Sequence, residues 1–150
     1  MNIEILRAVE EWQRAGAYSV RIQGMNRQHH ISLREEFDGH DGEGTRYIVL
    51  LDDGYPVATC RFYELKPDRV MIGRVVVLPE YRRQGLGTRV VMECEKWAAE
   101  LGYDSAVLES RDNKVDFYKK LGYAATGEAK DGETFRCIRM EKNLCAVQTG

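Results

Sequence analysis

The stretch from Ile72 to Leu101 restricts this chain to few folds. Val75-Val76-Val77 is a β-branched run of the kind that forms a buried strand. Leu78-Pro79-Glu80-Tyr81 ends it, because Pro79 has no amide to donate to a ladder. Arg82-Arg83-Gln84-Gly85-Leu86-Gly87-Thr88 follows, then an amphipathic helix. Val90, Cys94, Trp97 and Leu101 fall four, three and four apart, on one predicted face, and Gly102 stands where a left-handed cap ends a helix. Strand, glycine-containing turn and helix together make an anion site. The first helical amides lack internal acceptors, and the macrodipole adds positive charge there. Gly85 and Gly87 let a ligand approach the backbone, while Arg82 and Arg83 add long-range attraction. A pyrophosphate suits such a site.

Glycine turns before helices are also common structural devices, so the pattern needs a second witness. The dinucleotide fingerprint wants three glycines and the P-loop wants Gly-Lys-Ser/Thr; neither is present. What the chain does contain is Arg-x-x-Gly-x-Gly at Arg82, Gly85 and Gly87, after a Val-rich strand and an x-Pro-x-Tyr break. Further on, Asn113 precedes Phe117-Tyr118-Lys119-Lys120-Leu121-Gly122-Tyr123. In this pair of blocks, their order and their separation, the chain resembles the GNAT superfamily of acyl-CoA-dependent N-acetyltransferases. The resemblance runs from about Thr45 to Glu141 and is weaker before that.

A chain of 150 residues, 43% hydrophobic and 31% charged, suits one soluble globular domain. The resemblance implies that the domain would divide into an N-terminal helical, acceptor-side region (1–44), a sheet and acetyl-CoA-binding core (45–144) and a loose tail (145–150). A net charge of -2 gives no electrostatic reason for nucleic acid or an anionic membrane as partner. No apolar run approaches a membrane span, and Met1 to Leu6 lacks a signal-peptide core. Cys60, Cys94, Cys137 and Cys145 lack metal-type spacing and read as thiols in a reducing cytoplasm, three of them within apolar patterns.

In chain order, Met1 to Leu6 suits a short strand. Arg7 to about Arg27 is helical, with Val9, Trp12, Ala15, Ser19, Ile22 and Met25 near one face; Gly16 and Gly24 allow two helices or one broken helix. His29 to Asp41 reads as a polar loop holding all three histidines. Adjacent His29 and His30 would point apart in either regular structure, so no metal is expected there. Strands follow at Tyr47–Leu51 and Pro56–Phe62, joined by the turn Asp52-Asp53-Gly54, and at Val70–Val77 after Lys66-Pro67-Asp68. Ser105–Glu109 is a further strand, parallel to the one before the helix. Asp112 or Asn113 can cap a short helix ending at Gly122. Tyr123–Glu128 and Thr134–Glu141 then form a hairpin across Lys130–Glu133, with a bulge or two-sided burial required by the parity of Phe135, Cys137, Ile138 and Met140. The result is an α/β (α+β) fold, a mixed, mainly antiparallel sheet with a central parallel pair flanked by helices. The resemblance implies that this pair splays apart.

The resemblance also implies a chemistry. Acetyl-CoA would be the co-substrate, with pantetheine along Val75, Val76 and Val77 and the pyrophosphate at Arg82, Arg83, Gln84, Gly85, Leu86, Gly87 and Thr88. Asn113 would bond the coenzyme arm or cap its helix, Phe117 would pack beneath the arm, and Tyr118 would be the general acid for the departing thiolate. The alternative for Tyr118 is an amphipathic core tyrosine. The acceptor amine must lose its proton before it attacks. Here the chain departs from the pattern: Met71-Ile72-Gly73-Arg74 offers no carboxylate where several members carry a Glu. Glu36, Asp38, His29, His30, Glu109 or a water chain remain as bases. Arg74 either faces an anionic acceptor or pairs with a neighbouring strand. Together with Glu36 and Asp38 it marks the acceptor side. The expected partners are acetyl-CoA and a small polar amine (amino acid, polyamine or peptide terminus), with the chain alone or as a homodimer and no metal.

Two other readings stay open. Glu36-x-Asp38-x-x-Asp41, Thr45-x-Tyr47-Ile48 and Arg61 resemble the N-terminal half of acyl-homoserine-lactone synthases, which use S-adenosylmethionine and an acyl carrier. The missing strand carboxylate also suits a catalytically silent acyl-CoA-binding domain.

Overall fold

The structure is a computed structural model and describes residues 1–132 and 135–144. The strands are β1 (Ile3–Arg7), β2 (Arg46–Asp52), β3 (Tyr55–Lys66), β4 (Arg69–Val77), β5 (Ser105–Arg111), β6 (Ala124–Asp131) and β7 (Arg136–Asn143). They form one sheet in the order β1-β2-β3-β4-β5-β7-β6. β4 and β5 are parallel, from Arg69 opposite Ser105 to Ile72 opposite Leu108, where their pairing ends. The helices are α1 (Glu11–Arg21), α2 (Arg27–His29), α3 (Leu33–Glu36), α4 (Leu86–Glu100) and α5 (Val115–Lys120). This is the mixed, mainly antiparallel α/β architecture expected. By compactness the chain divides into two units, Met1–Tyr63 with Arg74–Cys94 and Glu64–Gly73 with Glu95–Gly150.

In the first unit β1 and β3 flank β2 antiparallel. The β2–β3 turn is a hairpin with Asp53 at φ 49° and Gly54 at φ 85°, as a tight Asp-Gly turn requires. Ala8, Ala17, Tyr47, Val49 and Leu51 form a core that Leu6 and Tyr18 extend. The N-terminal helical segment differs from the expectation. β1 takes Arg7, and α1 begins only at Glu11, where Glu10 and Gln13 form a capping box. α1 continues through a π-helical turn (Ile22–Asn26) into α2, so Gly24 loosens the helix without breaking it. Its buried side holds Gln13, Ala17, Val20 and Arg21, while Val9 and Trp12 are 68% and 55% exposed. Apolar periodicity chose the wrong face because a cation, satisfied by distant acids, occupies the right one. The segment from His29 to Asp41 is more than a polar loop, since Ser32 caps α3 by accepting from the Glu35 amide.

Val75-Val76-Val77 is less buried than its composition suggests. Only Val76 is fully enclosed; Val75 and Val77 are half-buried, as in a strand with one face covered, and Arg74 just before them adopts a left-handed φ of 51°. α4 buries Val90, Val91, Cys94 and Ala98, whereas Leu101, expected on that face, is 44% exposed. The helix ends as expected, with Gly102 at φ 96° and the amides of Tyr103 and Gly102 donating to Ala98 and Ala99.

In the second unit β7 lies between β5 and β6. The hairpin strands are shifted from their expected limits, and the bulge falls in β6, between Ala125 and Ala129, with Gly127 at φ 94°. Neither Asp112 nor Asn113 caps α5: both belong to a 3-10 turn (Asp112–Lys114), and α5 has no side-chain cap. α5 closes on Gly122 at φ 102°, with the Tyr123 amide donating to the Tyr118 carbonyl. Of the expected hairpin, Glu133 and Thr134 lie outside the described residues, as do Cys145 and the tail 145–150.

Candidate functional site

In the first unit a 3-10 turn (Pro79–Tyr81) leads from β4 into the loop before α4. The Leu78 amide donates to the Val57 carbonyl, and the Tyr81 hydroxyl donates to Asp52 at 2.7 Å, which fixes the near side of the loop. Arg83 (φ 65°) and Gly85 (φ 79°) are both left-handed, so the backbone folds back on itself before the helix. Nothing lies within 4 Å of where a Gly85 Cβ would project. The Arg89 amide donates to the Gly85 carbonyl, so the amides of Leu86, Gly87 and Thr88 belong to the helix start, where intrahelical acceptors are lacking. Arg82, Arg83, Gln84 and Gly85 are exposed, Gly87 and Thr88 half-buried, and Leu86 is buried as the helix anchor. Arg82 is an anchor as well as a cation: its Nε donates to the Val77 carbonyl at 3.0 Å and its Nη2 to the Gly24 carbonyl at 3.5 Å. The π-turn therefore meets the end of β4 through both Arg82 and Gly24.

A cluster of three arginines and three acids occupies the same unit. Arg21, fully buried, donates Nε to Glu36 at 2.9 Å and both Nη atoms to Asp41. Arg61 holds Asp38 through two 3.1 Å bonds and reaches Asp41 at 2.9 Å. Arg74 lies 3.2 Å from Glu36 and donates to Asp38 and to the Glu36 carbonyl. The partners of Arg74 are thus α3 and the loop after it; of the two readings left open, it pairs with acids of its own chain, though not on a neighbouring strand. Tyr47 donates to Asp41 at 2.8 Å, and the Arg21 guanidinium lies 4.3 Å from the Phe37 ring centre. Burial pushes the Asp41 carboxyl up, but hydrogen bonds from Arg21 and Tyr47 outweigh it and hold the group well below the usual carboxylate range. Asp38 follows the same balance, with Arg61 as the main opposing partner. Burial raises Tyr47, and its hydroxyl interactions with Tyr18 and Asp41 raise it further.

In the second unit Phe117 and Tyr118 are half-buried on α5, their rings edge to face at 4.9 Å, and Tyr118 meets Tyr123 edge to face at 5.9 Å. Asn113 is exposed. Tyr123 is fixed by its hydroxyl, which donates to buried Glu95 at 2.8 Å; Lys142 donates to the other Glu95 oxygen and to the Leu121 carbonyl. Sequence reasoning missed Arg21 and Glu95. For Arg21 a signal existed, because it continues the Gln13–Ala17 spacing by four. Among the described residues no group of three or more His, Cys, Asp and Glu side chains is placed to hold a metal ion, and no helix is long and apolar enough to cross a membrane.

The sheet is mixed with one central parallel pair, and between its two strands a left-handed loop feeds a helix start. The acetyltransferase (GNAT) family profile matches residues 6–123, and the chain belongs to that family. The uncharacterized N-acetyltransferase YjcF of Bacillus subtilis (strain 168) is 31% identical over 121 residues, spanning 81% of this chain and 85% of its own. A crystal structure from Lactobacillus plantarum, provisionally assigned as an N-acetyltransferase, superposes with a TM-score of 0.89 at 27% identity, covering 96% of this chain and 99% of that one. A GNAT family acetyltransferase from Elizabethkingia anophelis, with acetyl-CoA bound, shares the fold at a TM-score of 0.71 and 15% identity, covering 95% and 98%.

Proposed function

We propose that this chain transfers an acetyl group from acetyl-CoA to the amine of a small polar acceptor by direct attack. The observation that carries the proposal is the left-handed turn at Arg83 and Gly85, which feeds the start of α4. Helix-start amides there suit a pyrophosphate, and the arginines on the loop suit its charge. Pantetheine lies along Val75 to Val77, whose irregular backbone follows left-handed Arg74. The free amine attacks the thioester carbonyl, its C–N bond forms, the nitrogen releases its extra proton to solvent, from which Tyr118 is later reprotonated, and the oxyanion collapses as the C–S bond breaks. Tyr118 gives its proton to the departing thiolate. Phe117 packs beside the coenzyme arm, which Asn113 bonds.

Asp38 is a poor base, because its arginine partners stabilise the carboxylate. Proton removal therefore falls to a water chain or to another of the candidate groups, Glu36, His29, His30 or Glu109. The charge of Arg74 is offset by Glu36 and Asp38, so a carboxylate on the acceptor gains less there than a lone arginine would offer.

One observation favours a second reading. Glu36, Asp38, Asp41, Tyr47 and Arg61, which carry the resemblance to acyl-homoserine-lactone synthases, meet in a single ion-pair cluster. Calorimetry with acetyl-CoA and with S-adenosylmethionine, followed by thiol release over a panel of amines, separates the readings. Acetyl-CoA binding with turnover on small polar amines supports transfer. A preference for S-adenosylmethionine supports the synthase, and coenzyme binding without turnover on any amine supports a silent binding domain.

A further inference from the structure

We propose that Cys60 and Cys94 are a redox modification site, closing to a reversible disulfide that ties β3 to α4 within the first unit. The two residues come from different elements and are buried, at 1% and 0% exposure. Their sulfurs lie 2.7 Å apart, and Cys60 Sγ is also 3.1 Å from the Val90 carbonyl, one helical turn before Cys94. A pair of cysteines serving only as small apolar fillers has no need to aim sulfur at sulfur. The sulfur separation exceeds the usual disulfide length of about 2.05 Å by less than 1 Å. The ring so closed would contain β4, the turn at Gly85 and the first half of α4. Its main effect would be to restrict the unfolded chain.

The oxidant is a peroxide, small enough to reach a buried pair during local opening. One thiolate attacks the O–O bond, giving a sulfenic acid and, with a proton, water. The second thiol attacks that sulfur, the S–O bond breaks, and a second water leaves with the remaining proton. Two thiols lose two electrons, and one hydrogen peroxide becomes two waters. A dithiol reductant reverses the bond.

The test treats the purified full chain with stoichiometric hydrogen peroxide under native conditions, alkylates the remaining thiols and maps the peptides without reduction. The expected result is a mass loss of about 2 Da, with the two cysteine peptides joined. A Tm rise of roughly 5–10 °C, reversed by dithiothreitol, should accompany it. Cys60→Ala and Cys94→Ala should each abolish the link and the rise. The wild-type map stands without them should either variant fold poorly. Recovery of both cysteines alkylated or as sulfinic acids, a link to Cys137 or Cys145 instead, or a lower Tm in the linked protein would each overturn the proposal.

Discussion

Gly24 lies against Val76 so closely that a Cβ at position 24 would sit 2.5 Å from Val76 Cγ1. The π-turn thus meets β4 through a contact that only glycine permits, beside Val77, whose carbonyl accepts from Arg82. Val76 is β-branched and buried, so it has little room to yield. Gly24→Ala should destabilise the protein by about 1–3 kcal/mol, as over-packing does. Adding Val76→Ala should recover part of that loss. Urea denaturation of both variants checks the pair, and additive losses would show that the two residues do not share the contact.

Arg21 neutralises two carboxylates from inside the protein. Arg21→Met keeps much of the volume but leaves Glu36 and Asp41 short of a cation. The expected cost is about 3–5 kcal/mol at neutral pH, the range for breaking a buried pair. Chemical denaturation measures it, and a loss below 1 kcal/mol would mean that Arg61 and Arg74 compensate.

Acid should weaken the same cluster. The Asp41 pKa in the folded state lies below its unfolded value of about 3.9, so its contribution is full above that pH. The contribution is lost as pH falls through the folded-state value. Asp38 is depressed too and acts in the same direction. Stability of the wild type should therefore drop more between pH 7 and pH 3 than that of Asp41→Asn. Parallel urea midpoints at the two pH values test this, and equal drops would contradict it.

Gly87→Asp should place a carboxylate where the pyrophosphate binds. A loss of about 2 kcal/mol or more in acetyl-CoA affinity is expected, from the usual cost of an unfavourable buried charge contact. Calorimetry showing unchanged affinity would remove the pyrophosphate from this loop.

Tyr118→Phe keeps the ring contacts with Phe117 and Tyr123 and deletes only the hydroxyl. If Tyr118 protonates the thiolate, kcat should fall roughly ten- to a thousand-fold with coenzyme affinity nearly unchanged. A core tyrosine predicts the reverse, a stability loss of about 1 kcal/mol with full turnover. Melting temperature and turnover measured on the same variant decide between them.

What the sequence determined by itself was local. The Asp52–Gly54 turn, the stop at Pro79, the turn through Gly85 and the ends at Gly102 and Gly122 follow from backbone preferences of one or two residues. The parallel pairing of β4 and β5 follows from a strand, a helix and a strand in succession. Tertiary structure decided which charges are inside. Arg21 finds Glu36 and Asp41 fifteen and twenty residues away, and Arg61 finds Asp38 across twenty-three. No periodicity reports such partners, because a buried charge is tolerated only once they have assembled. For the same reason Trp12 on α1 faces outward, and Arg74 came to hold two acids of α3 and the loop after it, where the sequence left open an anionic acceptor or a neighbouring strand. The left-handed Arg74 is equally a tertiary result, since nothing in its own side chain favours that conformation and long-range contacts to Glu36 and Asp38 hold it there.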